Sequence, residues 1–302
     1  MIDGRTRLVG LIGWPVAHSL SPVMHNAVFD ALGLNWRYVP LPVPPGQVAD
    51  AVCGLAALGF QGANVTVPHK QTVMTSLASI TPDAKRLGAV NTLLIEHDAN
   101  AAPTLRGDNT DARGFMGALR EGGVHPDALD RAVVVGAGGA ARAVAFGLLE
   151  AGVKDIVVLN RTHARAEALV ADLGAHYSAG QLQAQPLTPE ALVSATQDAT
   201  LLVNATSVGM WPHVEASIWP DEMPIPAHLA VFDLVYNPLE TQLLRQARQA
   251  GAYPINGLGM LVRQGALALA MWVKQEVDMS GLEKSDEVAT LMRTVCEQAL
   301  NT

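Results

Sequence analysis

The apolar run Arg131-Ala132-Val133-Val134-Val135 leads directly into Gly136-Ala137-Gly138-Gly139 and then into an alanine-rich helical stretch. No other segment restricts the fold as much. A continuous apolar, β-branched run is expected of a strand buried on both faces, which requires helices on both sides of a parallel sheet. Glycines between such a strand and a helix allow a tight turn and close backbone approach to a pyrophosphate. The helix start then offers its unpaired N–H groups and positive dipole end to that anion. On the glycines alone, a plain βα turn would serve as well. The strand before them and the helix after them favour a nucleotide site. Gly139–Ala151 reads as the helix, ending at Gly152, and Asp155–Leu159 as the next strand. Thr200–Asn204 and Ala230–Leu234 read as further buried strands with helical segments between them. Residues 111–257 are therefore expected to form a doubly wound parallel nucleotide-binding domain.

The end of the second strand selects the nucleotide. NAD sites usually carry Asp or Glu there to bind the ribose 2′-hydroxyl. Here the chain reads Leu159-Asn160-Arg161-Thr162, with Arg165 one turn on and no acid. Two guanidinium groups suit a 2′-phosphate, because Arg can grip phosphate bidentately. Two solvated arginines at a helix start would be the structural alternative, although positive charge is mildly unfavourable there. NADP is the expected cofactor.

The first third of the chain also alternates. Arg7–Ile12, Trp36–Val43, Gly62–Val67 and Ala89–Ile95 are strand-like. Pro22–Leu32 reads as a helix with Ser21 as N-cap and Pro22 at its first position, and Gln47–Leu58 as a helix stopped by Gly59. Residues 1–110 are thus expected to form an α/β domain. After Gly257 the pattern is purely helical, Met260–Val277 and Leu282–Ala299, and residues 258–302 are expected to pack back on another domain. Pro212–Pro226 reads as an ordered loop rather than a linker.

Several polar groups sit where apolar patterning would not put them. Gly62-Ala63-Asn64-Val65-Thr66-Val67-Pro68-His69-Lys70 delivers Asn, Thr and Lys to one strand end. A lysine near a reaction centre can act as acid or base. Taken by itself, Lys70 reads more simply as a surface residue opening a helix. Asp108-Asn109-Thr110-Asp111 lies at the domain boundary and can serve both as a helix cap and as a cleft wall. In His18-Ser19-Leu20-Ser21-Pro22, two hydroxyls two residues apart beside a helix start could bind a carboxylate, or Ser21 could simply cap. Asn91 is a further polar residue at a strand.

Bulk properties exclude other classes. At 302 residues the chain is long enough for two domains, and 49% hydrophobic content against 16% charged supports a large core. A net charge of −8 without basic clusters argues against nucleic acid. Cys53 and Cys296 cannot build a disulfide framework or a zinc site, and the histidines show no metal-ligand spacing, so no metal is expected. Asp3, Arg5 and Gly13-Trp14-Pro15 interrupt any signal-like stretch. Leu261–Val273 is too short and polar to span a bilayer. A cytoplasmic protein without a membrane partner is expected.

Together these motifs resemble the shikimate dehydrogenase family. The resemblance runs in order through the stretches at 18–22, 64–70, 88–92 and 107–111, then Gly136–Ala143 and Asn160–Thr162. It ends with Asn204-Ala205-Thr206-Ser207-Val208-Gly209-Met210 and Gly257-Leu258-Gly259-Met260-Leu261-Val262-Arg263-Gln264. It implies NADPH-dependent, reversible reduction of 3-dehydroshikimate to shikimate by a substrate domain and a Rossmann-type domain, with cofactor and substrate meeting between them. Lys70 and Asp111 would be the catalytic pair. Ser19 and Ser21 would bind the substrate carboxylate, and Asn64, Thr66, Asn91, Tyr236 and Gln264 the ring hydroxyls. Gly136, Ala137, Gly138, Gly139 and Ala140 would meet the pyrophosphate, and Asn160, Arg161, Thr162 and Arg165 the 2′-phosphate. Leu234 and Gly257 would line the nicotinamide pocket. The resemblance leaves a monomer or a homodimer open, and admits quinate as a rival substrate. A non-catalytic NADP- or shikimate-binding regulator on the same fold is the rival of another class. The chain departs from the family's pattern at Trp14 and over Trp211–Pro226, away from the catalytic pair.

Overall fold

The computed structural model describes residues 2–98, 101–177, 181–277 and 282–301. The chain forms two compact units: residues 1–110 with 262–302, and residues 111–261.

In the first unit the chain runs β1 (Arg7–Gly13), α1 (Ser21–Ala31), β2 (Trp36–Pro42), α2 (Val48–Ala57), β3 (Gly62–Val65), β4 (Ser79–Ile80), α3 (Pro82–Leu87), β5 (Thr92–Asp98) and β6 (Ala101–Asp108). The sheet order is β2-β1-β3-β5-β6-β4. β1 runs parallel to β2 and β3, whereas β5 runs antiparallel to both β3 and β6. One face packs a core of Ile12, Val52, Ala63, Val73, Val90 and Leu93.

Two local expectations need correction, and one strand has no counterpart among the expected ones. Ser21 does not cap α1; it is the helix's first residue, and Leu20 stands at the cap position. The Ser21 N–H instead donates to Ser19 Oγ at 3.2 Å, so the upstream serine supplies the turn. The strand expected over Ala89–Ile95 begins at Thr92, leaving Asn91 just before it. β6 was hidden because Pro103 and Gly107 break its apolar alternation.

The second unit contains α4 (Asp111–Glu121), β7 (Arg131–Val135), α5 (Gly139–Glu150), β8 (Asp155–Asn160), α6 (His163–Gly174), β9 (Leu182–Pro186), α7 (Pro189–Thr196), β10 (Leu201–Asn204), β11 (Ala230–Asp233), α8 (Gln242–Gln249) and β12 (Tyr253–Ile255). Its sheet is parallel throughout, in the order β12-β11-β10-β7-β8-β9. The sequence order reverses between β7 and β10. In open α/β sheets, ligands bind in the crevice outside the carboxyl ends of the strands at such a point. The sequence does not announce β9 and β12, which are short edge strands with polar or proline positions. The Trp211–Pro226 loop is ordered: Trp219 is buried in the core, its indole N–H donates to Met223 O at 2.7 Å, and Ser217 Oγ donates to Gln246 Oε1 at 2.6 Å.

The tail helices α9 (Leu258–Val273) and α10 (Leu282–Leu300) follow. α10 packs along α1, so the chain's end returns to the first unit. Gly62 makes room for α9: a Cβ there would collide with Trp272 Nε1, which donates to Leu93 O at 2.9 Å. Among the described residues no helix is long and apolar enough to cross a membrane.

Candidate active site

In the second unit, β7 ends at Val135 and α5 starts at Gly139, so the cradle is the turn Gly136-Ala137-Gly138. Gly136 has φ 118°, a left-handed backbone, and a Cβ there would stand 3.0 Å from Ala205 O. Only glycine fits there at no cost. Gly138 stands at the cap position of α5 with nothing against its Cβ direction, so its surface is open for a ligand. At the end of β8, Asn160 Nδ2 donates to Thr162 O at 2.8 Å and holds the turn into α6. Arg161 and Arg165 are exposed, and among the described residues neither pairs with a carboxylate. A glycine cradle at a helix start beside two available guanidinium groups fits a dinucleotide bearing a 2′-phosphate.

The neighbouring β10 and β11 ends are tied by a carboxylate absent from the sequence reading. Asp233 Oδ1 accepts from Asn204 Nδ2 at 2.9 Å and from the Val235 N–H at 3.1 Å, and Oδ2 accepts from Thr241 Oγ1 at 2.6 Å. Burial pushes its carboxyl up to about 6, although all three hydrogen bonds pull the other way. Asn204 Oδ1 in turn accepts from the Thr206 N–H at 3.1 Å and Oγ1 at 2.7 Å. Gly257 approaches Leu234 so closely that a Cβ would collide with Leu234 O. Leu234 and Tyr236 are half-buried just beyond β11. An open cavity of about 510 Å3, with His125, Thr200, His228 and Tyr253 on its wall, lies at the amino ends of these strands, not at the cradle end.

In the first unit, the buried polar side chains lie together. Asn91 Oδ1 accepts from the Thr110 N–H at 2.8 Å and from Thr92 Oγ1 at 2.9 Å. Its Nδ2 donates to Thr110 Oγ1 at 3.0 Å and Gln264 Oε1 at 3.4 Å. Asn64 Nδ2 donates to Asn91 O at 3.2 Å and Thr92 Oγ1 at 3.3 Å. The structure thus brings Asn64, Asn91 and Gln264 into one network, from β3, the lead-in to β5, and α9. Thr92 and Thr110 belong to the same network, but in the sequence they read as strand and cap residues.

Thr66 follows β3 and is half-buried; Gly13 leaves it space, since a Cβ there would collide with Thr66 Cγ2. The His69 N–H donates to Thr66 O at 2.9 Å, and its buried ring Nε2 bonds Val43 O at 2.7 Å. This fixed turn delivers the half-buried Lys70, whose carbonyl accepts from the Val90 N–H at 2.8 Å, one residue before Asn91. Ser19 is half-buried, Ser21 is buried at the start of α1, and Asp111 is buried at the start of α4. Among the described residues no group of three or more His, Cys, Asp or Glu could hold a metal ion.

A parallel dinucleotide-type sheet and a second α/β unit lined with amides and hydroxyls, in one chain, mark a nicotinamide-dependent oxidoreductase. Residues 11–93 match the shikimate dehydrogenase substrate binding domain and residues 125–218 match the shikimate / quinate 5-dehydrogenase family. The chain belongs to the shikimate dehydrogenase family. It is 46% identical over 284 residues to the shikimate dehydrogenase (NADP(+)) of Moorella thermoacetica, covering 94% of this chain and 93% of that one. A solved shikimate dehydrogenase in complex with NADP+ matches with a TM-score of 0.85 and 37% identity, over 99% of this chain and 98% of the other. The Thermus thermophilus shikimate 5-dehydrogenase, in complex with NADP(H) and shikimate, matches with a TM-score of 0.79 and 39% identity, over 96% and 100% of the two chains.

Proposed function

We propose that this chain catalyses the reversible, NADPH-dependent reduction of 3-dehydroshikimate to shikimate, a step of aromatic amino acid biosynthesis. The carrying observation is the pair of arginines after β8 with no acid beside them, in a chain whose other unit gathers Asn64, Asn91 and Gln264. NADPH supplies the hydride when bound. Gly136 to Ala140 hold the pyrophosphate through backbone N–H groups at the start of α5. Asn160, Arg161, Thr162 and Arg165 hold the 2′-phosphate, while Leu234 and Gly257 flank the nicotinamide. Residues 1–110 with the tail helices form the substrate domain. Ser19 and Ser21 take the substrate carboxylate, and Asn64, Thr66, Asn91, Tyr236 and Gln264 take its ring hydroxyls. Lys70 gives the proton to the substrate oxygen in reduction and recovers it in oxidation, with Asp111 as its catalytic partner. The enzyme is a cytoplasmic monomer or homodimer.

The test is NADPH consumption with 3-dehydroshikimate and separately with dehydroquinate, in the wild type and in Lys70→Ala. General acid–base assistance is worth about 10²–10⁴ in rate, so Lys70→Ala should lower kcat by about that factor with a smaller change in KM. Near-wild-type kcat in that variant removes Lys70 from the chemistry. Preference for dehydroquinate reassigns the substrate, and tight binding without turnover makes the chain a regulator.

A further inference from the structure

Tyr38 lies on β2, away from every motif that marks the site, yet its hydroxyl ends on one of the site's amides. Tyr38 Oη and Asn64 Oδ1 are 2.9 Å apart, both residues being at most 5% exposed. The direction of this bond follows from the far side of the amide. Asn91 O can only accept, and it already takes the Val65 N–H at 2.8 Å. The end of the Asn64 amide that faces it at 3.2 Å must therefore be Nδ2. Oδ1 then faces Tyr38, and the phenol must donate. Both hydrogens of Nδ2 are directed to partners, Asn91 O and Thr92 Oγ1, and Oδ1 keeps one lone pair after accepting from Tyr38.

Tyr38 itself is gripped by two consecutive residues of α1. Asn26 accepts the Tyr38 N–H at 2.8 Å and donates to the Tyr38 carbonyl at 2.9 Å, pairing the backbone as a neighbouring strand would. The His25 ring stacks on the phenol ring, with centroids 4.4 Å apart and planes 7° from parallel. His25 is fully buried, and among the described residues neither ring nitrogen has a hydrogen-bond partner. Burial pushes its imidazole down to about 3, so it serves as a neutral flat plate. Trp272 and the close approach of Gly265 to Met24 complete the enclosure, one residue from Gln264.

We infer that Tyr38 is a positioning residue for substrate: clamped by His25 and Asn26, it fixes the Asn64 amide so that Asn64 meets the ligand as an acceptor of a substrate hydroxyl and not as a donor. The inference rests on the proposed role of Asn64 at a ring hydroxyl. Without the phenol O–H, Oδ1 would lose the partner that orients it, and the amide could turn.

Steady-state kinetics with shikimate and NADP+ on Tyr38→Phe, Asn64→Ala and the double variant test this. Phe keeps the ring stack and the backbone bonds to Asn26, so the fold is retained. Loss of one buried hydrogen bond should raise KM for shikimate about three- to ten-fold, with kcat changed less than about two-fold. KM for NADP+ should not move, and Tyr38→Phe should add nothing on the Asn64→Ala background. If Asn64→Ala raises KM for shikimate and Tyr38→Phe does not, the positioning role falls while the role of Asn64 stands. If Asn64→Ala leaves KM unchanged, Asn64 does not hold substrate and both fall. A matched rise in KM for shikimate and NADP+ with a lowered Tm would make Tyr38 a structural residue only and overturn the inference.

Discussion

Arg161 and Arg165 stand where a nicotinamide enzyme of the other cofactor class would carry an acid. Each charge-assisted hydrogen bond to a phosphate is worth about 1.5–3 kcal/mol, so replacing both arginines by serine should cost NADPH at least about ten-fold in kcat/KM. NADH, which lacks the 2′-phosphate, should lose far less. Equal losses in kcat/KM for the two cofactors would sink the assignment. Candidates of this kind are legible in a sequence because position and charge alone single them out. Asn64 and Asn91 are legible for a related reason, since an amide in an apolar run demands a partner, whereas Gln264 is reached only through the family resemblance. Tyr38, Thr92 and Thr110 are not legible. A tyrosine or threonine on a strand satisfies ordinary β patterning, so nothing local distinguishes Tyr38 from a core residue. Only the fold reveals a partner 26 residues away.

Among the elements, β7, α5 and β8 could be read almost to the residue, since their long apolar runs and flanking glycines leave one solution. β6, β9 and β12 could not: Pro103 and Gly107 break the alternation of β6, while β9 and β12 are short edge strands made by pairing with a formed sheet more than by their own composition. The tie between β10, β11 and α8 was equally invisible, being one buried aspartate, Asp233, whose partners come from three segments. Its folded value of about 6 lies above the ordinary 3.8. A raised carboxyl binds protons more readily in the folded state. Its contribution to stability is therefore complete below about 4 and is lost as pH rises through about 6. Asp233→Asn removes that titration. The difference in Tm between wild type and variant should change across this interval and be flat above pH ~7. A difference independent of pH would show that Asp233 titrates as an ordinary surface carboxylate.

For the whole molecule, the notable fact is that the first unit is made from both ends of the chain. All of α9 from Val262 onward and all of α10 belong to it, whereas the glycine cradle lies in a unit that is continuous in sequence. Removing residues 282–302 takes away α10, with its buried Val288, Met292 and Cys296, from the helix α1 along which it packs. Exposing two or three large apolar side chains costs several kcal/mol, at about 1.5–3 kcal/mol each, comparable with the stability of a domain. The truncated chain should lose shikimate turnover yet still bind NADP+, measured by quenching of intrinsic fluorescence. Loss of both together would show that the second unit does not stand alone.

The grip of Asn26 on Tyr38 also bears on how the protein behaves in a crowded solution. β2 is the outermost strand of its sheet. Asn35 O and the Val43 N–H are both spent on β1, so the alternation of the strand turns Trp36, Tyr38, Pro40 and Pro42 outward. Two of these four have no N–H, Tyr38 has given both its backbone groups to Asn26, and the Trp36 carbonyl is taken by the Arg37 guanidinium at 2.7 Å. A free strand arriving from another molecule finds almost no ladder to extend. The contact that steadies the substrate pocket from behind is thus also a guard against self-association and fibre growth.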